Sequence, residues 1–164
     1  MINNETQTEN GLSPERAQRM AQLAAVPDAL RRLVGDRSAE DLRQPGQDGS
    51  NAVVEVLYHL LDWEEITGER VWRMLHQESP EFESVDDSLW SIEHDYIARN
   101  GRDALDAFAL SRGKLMETLA ALDDAGWQRT ASLGTHGTIT LAWLIEKIAA
   151  HDEKHIAELN EALS

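Results

Sequence analysis

Apolar positions along this chain recur at intervals of three and four, the spacing of helices, and no segment alternates convincingly with the period of two that marks a strand. Near the C-terminal end, Leu141, Leu144, Ile145, Ile148, His151, His155, Leu159 and Leu163 continue a single stripe, so two histidines stand on the face that turns inward. Upstream, residues 51–76 carry a broad apolar face of Val53, Val56, Leu57, Leu60, Leu61, Ile66 and Val71, with His59 near its middle. Ser50 is the expected N-cap, and the lack of proline with only one glycine, Gly68, allows a helix long enough to cross a domain.

The remaining pattern supplies two further long helices and their connections. Ser13, Pro14 and Glu15 read as N-cap, first helical position and acidic first turn of a helix reaching about Val34. Pro27 lies inside it and predicts a kink or a break near Val26. Residues 38–41 suggest a short turn, 44–49 a loop dense in turn formers, and 86–98 a shorter helix carrying Trp90 and Tyr96. After the punctuation of Asn100 and Gly101, residues 102–122 form a third long helix with Leu105, Phe108, Leu115, Leu119 and Leu122 facing the core, and Thr140 caps the last. With no internal repeat, the expected architecture is all-α, a four-helix bundle with irregular connections. A polar tail over 1–11 precedes one domain over 12–164.

Charge narrows the partners. Thirty acidic against fifteen basic residues give a net charge of −15, which disfavours phosphate backbones and anionic membranes. Residues 1–8 have neither the basic start nor the apolar core of a signal peptide, and no run approaches the ~20 apolar residues of a membrane span. A soluble cytoplasmic protein with a small-molecule partner is expected. The absence of cysteine removes a disulfide framework and a protein thiol nucleophile.

Histidines carry the candidate chemistry. Side chains four apart share a helix face, so His151 and His155 can reach one ion beside the helix. Six histidines in this length give roughly 0.2 such pairs by chance, so the inward position, more than the spacing, raises the signal. If the helix bearing His59 packs beside the last one, three imidazoles converge. Three ligands with an open position describe a catalytic zinc-type site, whereas a closed structural site normally recruits a fourth ligand, often cysteine. The plain alternative is a buried histidine pair hydrogen-bonded to carboxylates. Glu55, Asp62 and Asp152 are candidates to orient the imidazoles or to act on a bound water, with solvated helix acids as the alternative. The five tryptophans read first as packing, with Trp63, four residues past His59, also a candidate to wall a pocket. Arg70, Arg73 and Arg112 are candidates for holding an anionic substrate, with surface salt bridges as the alternative, and His136, in the loop before the last helix, is a candidate substrate contact, with an exposed loop residue as the alternative.

These segments resemble the DinB-like (YfiT-like) superfamily of small helical metalloproteins over most of the chain. Residues 55–64, EVLYHLLDWE, are similar to the family's second-helix signature, and 151–159, HDEKHIAEL, to its last-helix signature. Residues 103–112 resemble its third helix and 137–141 the turn that opens the fourth, whereas Ser50 and Asn51 stand where many relatives have tryptophan. The resemblance implies a four-helix bundle of the DinB/YfiT-like type, with His59, His151 and His155 as metal ligands and, often, a homodimer. Zinc or nickel suits three imidazoles, with iron and manganese also admissible. It further implies transfer of a low-molecular-weight thiol of the bacillithiol type to an electrophile. Mycothiol-dependent maleylpyruvate isomerases carry Glu at the position of His151, which disfavours that activity. Metal-dependent hydrolysis and a noncatalytic metal-binding bundle are the alternatives.

Overall fold

The computed structural model describes residues 13–46 and 49–164, so the expected tail over 1–11 lies outside the described residues. Its elements in chain order are α1 (Pro14–Val34), α2 (Ala39–Arg43), α3 (Val53–His76), β1 (Glu81–Phe82), α4 (Trp90–Glu93), α5 (Gly101–Ala120), α6 (Asp124–Trp127), β2 (Thr130–Leu133), β3 (Gly137–Thr140) and α7 (Leu141–Ala162). Short 3-10 turns at Tyr96–Ala98 and Gly134–His136 complete the connections. The long helices pack in the cyclic order α1, α5, α3, α7. Helices α3 and α7 are therefore direct neighbours, as convergence of their histidines requires.

Local chemistry sets the helix ends. Ser13 caps α1 by accepting from the Arg16 N–H, Asn100 caps α5 by accepting from the Arg102 N–H, and Thr140 caps α7 by accepting from the Trp143 N–H. The start of α3 differs from expectation. Its N-cap is Ala52 rather than Ser50, and Glu55 folds back to accept the Ala52 N–H at 2.8 Å. The first-turn carboxylate thus satisfies the N–H of the cap residue itself, the half of a capping box that needs no capping hydroxyl.

One guanidinium joins all four long helices. Arg112 of α5, 1% exposed, grips both carboxylate oxygens of Glu64 on α3 at 2.8 and 2.6 Å and reaches Asp152 on α7 at 2.8 Å. Its third partner is the Leu23 carbonyl of α1, at 3.0 Å. Pro27 explains why that carbonyl is available. An ordinary residue at 27 would donate its N–H to the oxygen of residue 23, and proline has none to give. Of the kink or break expected near Val26, the break does not occur: α1 continues through Pro27, and the orphaned acceptor is satisfied by Arg112. Burial pushes the Asp152 carboxyl up to about 6 against the pull of this guanidinium.

The expectation of no strands is corrected. β1 pairs parallel to β2 with Phe82 opposite Leu133, and β2 pairs antiparallel to β3 with Ala131 opposite Ile139. Phe82, Ala131 and Ile139 enter the core beside Leu119, Leu141 and Ile145. At the hairpin end, a Cβ on Gly134 would stand 2.1 Å from the Ser84 hydroxyl oxygen, and the residue has φ +44°, so glycine alone fits. The expected helix over 86–98 is likewise corrected to α4 and the turn at Tyr96–Ala98, separated by Asp95 in the left-handed region at φ 47°. Leu122 lies past the end of α5 and is only half-buried.

Candidate metal centre

His59 projects from the second turn of α3, and His151 and His155 from successive turns of α7. One ligand atom from each falls within 4.8 Å of the others. The Nε2 atoms of His59 and His151 are 3.0 Å apart, and the ring centroids are separated by 5.0, 4.8 and 4.5 Å. Trp90 borders His59, and Trp63 meets the His151 ring edge-on at 5.9 Å.

Burial keeps the cluster neutral. Desolvation, helped by repulsion among the rings, lowers the pKa of His59 and pushes that of His151 down to about 3. Desolvation also lowers His155, although Glu158 pulls the other way. Three neutral imidazoles are the form that ligates a metal.

Outer contacts orient the rings. The His155 Nδ1–H donates to Glu158 at 2.7 Å, which leaves Nε2 as the lone-pair nitrogen. Asp87, in the loop between β1 and α4, stands 3.8 Å from the His59 Nε2 and accepts the Trp63 indole N–H at 2.8 Å. The His151 Nδ1 is buried without a partner among the described residues. Nitrogens sharing a tetrahedral ion at 2.0–2.1 Å stand about 3.3 Å apart. The 3.0 Å pair is close to that separation, and the 4.8 Å envelope of all three needs a modest closure. The donor set therefore fits a divalent cation, and it lacks the fourth protein ligand of a closed site among the described residues.

The other candidate residues are distributed more widely. Glu55 is committed to the Ala52 N–H and the Ser91 hydroxyl, and Asp62 to His94 at 2.8 Å and to the Tyr96 hydroxyl. Burial and that carboxylate hold the Tyr96 hydroxyl protonated. Asp152 does not orient an imidazole but pairs with Arg112, and that pairing also removes Arg112 from the candidates for substrate binding. Arg73 donates to Gln77 and to the Glu81 carbonyl, leaving Arg70 as the candidate arginine that lines a cavity beside His151. Trp63 walls that cavity, and exposed His136 packs on Trp143 at 4.5 Å. Asp87 and Glu158 escaped the sequence reading. Glu158 was legible as the residue one turn after His155, whereas Asp87 sits in an aperiodic loop with no signal to find it by.

A helical bundle holding three neutral imidazoles between two adjacent helices, open to a cavity, defines the class of protein. The chain belongs to the DinB superfamily, whose family model matches residues 22–159. Its structure is similar to that of YfiT from Bacillus subtilis, described as a probable metal-dependent hydrolase with an unusual four-helix bundle topology. The two share 24% identity at a TM-score of 0.83, over 98% of this chain and 93% of the other. No curated protein matches the chain.

Proposed function

We propose that the protein is a metal-dependent enzyme in which His59, His151 and His155 hold one divalent ion, zinc or nickel by the softness of three imidazoles. The observation that carries this reading is the convergence of one ligand nitrogen from each of the three rings within 4.8 Å, with His151 also lining a cavity. When bound, such an ion supplies Lewis acidity and a nucleophile near neutral pH by lowering the pKa of the water or thiol beside it. The chain's own residues do the rest. Glu158 fixes the His155 ring, and the Trp63 indole N–H holds Asp87 near His59. Asp87, 3.8 Å from the His59 Nε2, is placed to accept the nucleophile's proton.

Hydrolysis is the first reading, supported by the likeness to YfiT and by a carboxylate base beside the cluster. Thiol transfer is the second, implied by the family resemblance, and in a chain that has no cysteine the thiol would come as a cosubstrate. The test is metal content of untagged protein by mass spectrometry, then turnover of a model ester and of a model electrophile with and without bacillithiol or glutathione. About one metal per chain with chelator-sensitive, thiol-independent ester cleavage is the expected result. Turnover only with added thiol selects the transferase. Metal without either turnover selects a noncatalytic bundle, and no metal after reconstitution removes the centre.

A further inference from the structure

Beside His151 lies a cavity of about 290 Å³ between α3, α7 and the β2 end of the hairpin. That volume sits at the lower edge of ligand pockets and suits a molecule smaller than a typical drug. Leu133, Leu144 and Ile148 line it with aliphatic surface, and Trp63 and Trp143 with aromatic surface. Its charged lining is Arg70 and Lys147, with no carboxylate, in a chain that carries thirty acidic residues against fifteen basic.

Arg70 is the unusual member. It is 8% exposed, yet among the described residues it has no carboxylate partner in an ion pair. Its guanidinium is fixed by donation to the Glu83 carbonyl at 2.9 Å and by stacking over Phe82 at 5.4 Å and Trp63 at 5.9 Å. A guanidinium stays ionised at any working pH, and a buried cation that forms no ion pair, with only the more distant charge of Glu69 to offset it, is unfavourable until an anion meets it. Lys147 adds a second positive charge at the rim, with its ammonium 5.3 Å from the Trp143 ring. The Trp63 ring stands 5.9 Å from both the Arg70 guanidinium and the His151 imidazole, so the anion site and the histidine cluster border the same ring of one cavity.

We propose that this cavity binds a small organic carboxylate with a flat apolar body, its carboxylate at Arg70 and Lys147 and its reactive end at the His151 side. The inference names the substrate class for the metal centre proposed above and rests on that reading for its reactive end, while the anion site stands on Arg70 alone. It assigns Arg70 to substrate orientation and Lys147 to a supporting charge.

The test is calorimetric titration of the full chain, as metal-loaded and as chelated protein, with 3-phenylpropionate and with its neutral amide. The carboxylate is expected to bind at least tenfold more tightly than the amide in both forms. Arg70→Gln abolishes that preference, and Lys147→Glu, at an exposed position that does not threaten folding, reduces it several-fold. Equal binding of the two probes, binding of neither, or a preference that survives both substitutions overturns the proposal. A preference that vanishes on chelation also overturns it, because the carboxylate is then on the metal, and leaves the metal centre standing. An Arg70-dependent preference in protein that takes up no metal has the opposite meaning: the anion site holds and the metal reading fails.

Discussion

At the scale of single residues, each imidazole of the cluster is separated from solvent by different neighbours, and the separation has a measurable price in acid. His151 has a pKa of about 3 in the fold against 6.5 in an unfolded chain. As pH falls through that window, the unfolded chain takes up a proton that the fold refuses, so stability drops with acidification and is complete only above about 6.5. His59 and His155, also lowered, act in the same direction. Asp152 opposes them: held at about 6 against 3.8 unfolded, it keeps a proton in the fold that the unfolded chain releases, and returns stability as pH falls between those values. The histidines set the net sign, and Asp41 and Asp86, whose carboxyls are lowered by hydrogen bonds from Ser38 and Ser88, act in the same direction near pH 4. The melting temperature of the metal-free protein is expected to fall from pH 7 to 4, with a shallower slope in His151→Gln and a steeper one in Asp152→Asn, read by circular dichroism. Equal slopes in all three would contradict the burial argument. Metal content gives the complementary residue-level check: His59→Ala and His151→Ala each abolish stoichiometric binding, while His76→Ala, whose ring stacks on exposed Trp72, leaves it unchanged.

At the scale of elements, the four long helices depend on a contact that no element announces by itself. Arg112 holds two carboxylates and the Leu23 carbonyl that Pro27 leaves free. Arg112→Met retains much of the apolar stem but leaves two buried carboxylates unpaired, a defect of about 3–5 kcal/mol. Urea unfolding is expected to show that loss, and a loss under 1 kcal/mol would mean that the packing of the helices tolerates the bare carboxylates. The histidine stripe on α7 and the face of α3 were legible because helical periodicity repeats over many turns. The strands were not, because β1 has two residues and β2 and β3 four each, too few for alternation to emerge from noise. Arg112 was legible only as a candidate for an anion or a surface salt bridge, and the meaning of Pro27 depended on the Leu23 carbonyl meeting a guanidinium 89 residues along the chain from Leu23. Asp87, Trp63 and Arg70 acquired their places only when the loop after β1 folded back along α3.

At the scale of the molecule, the relation between the metal centre and the cores decides what the metal does for the fold. Two apolar clusters fill the bundle, one around Leu57, Tyr58 and Phe108 and the other around Met74, Leu119 and Ile145, and half-buried Trp63 packs against both. The histidines lie beside this body without replacing any part of it, unlike the small domains in which metal ligation is the core itself. Metal removal is therefore expected to loosen the α3–α7 pair while leaving the bundle folded. Linkage sets the size of the effect, since ion at a thousand times its dissociation constant stabilises by about 4.1 kcal/mol. Chelation should lower the melting temperature by several degrees while the helical circular dichroism at 25 °C stays unchanged, and added zinc or nickel should restore the loss. Collapse of the helical signal on chelation would show that the ion is structural, and would turn the open three-histidine arrangement from a place where chemistry happens into the clasp that holds two helices together.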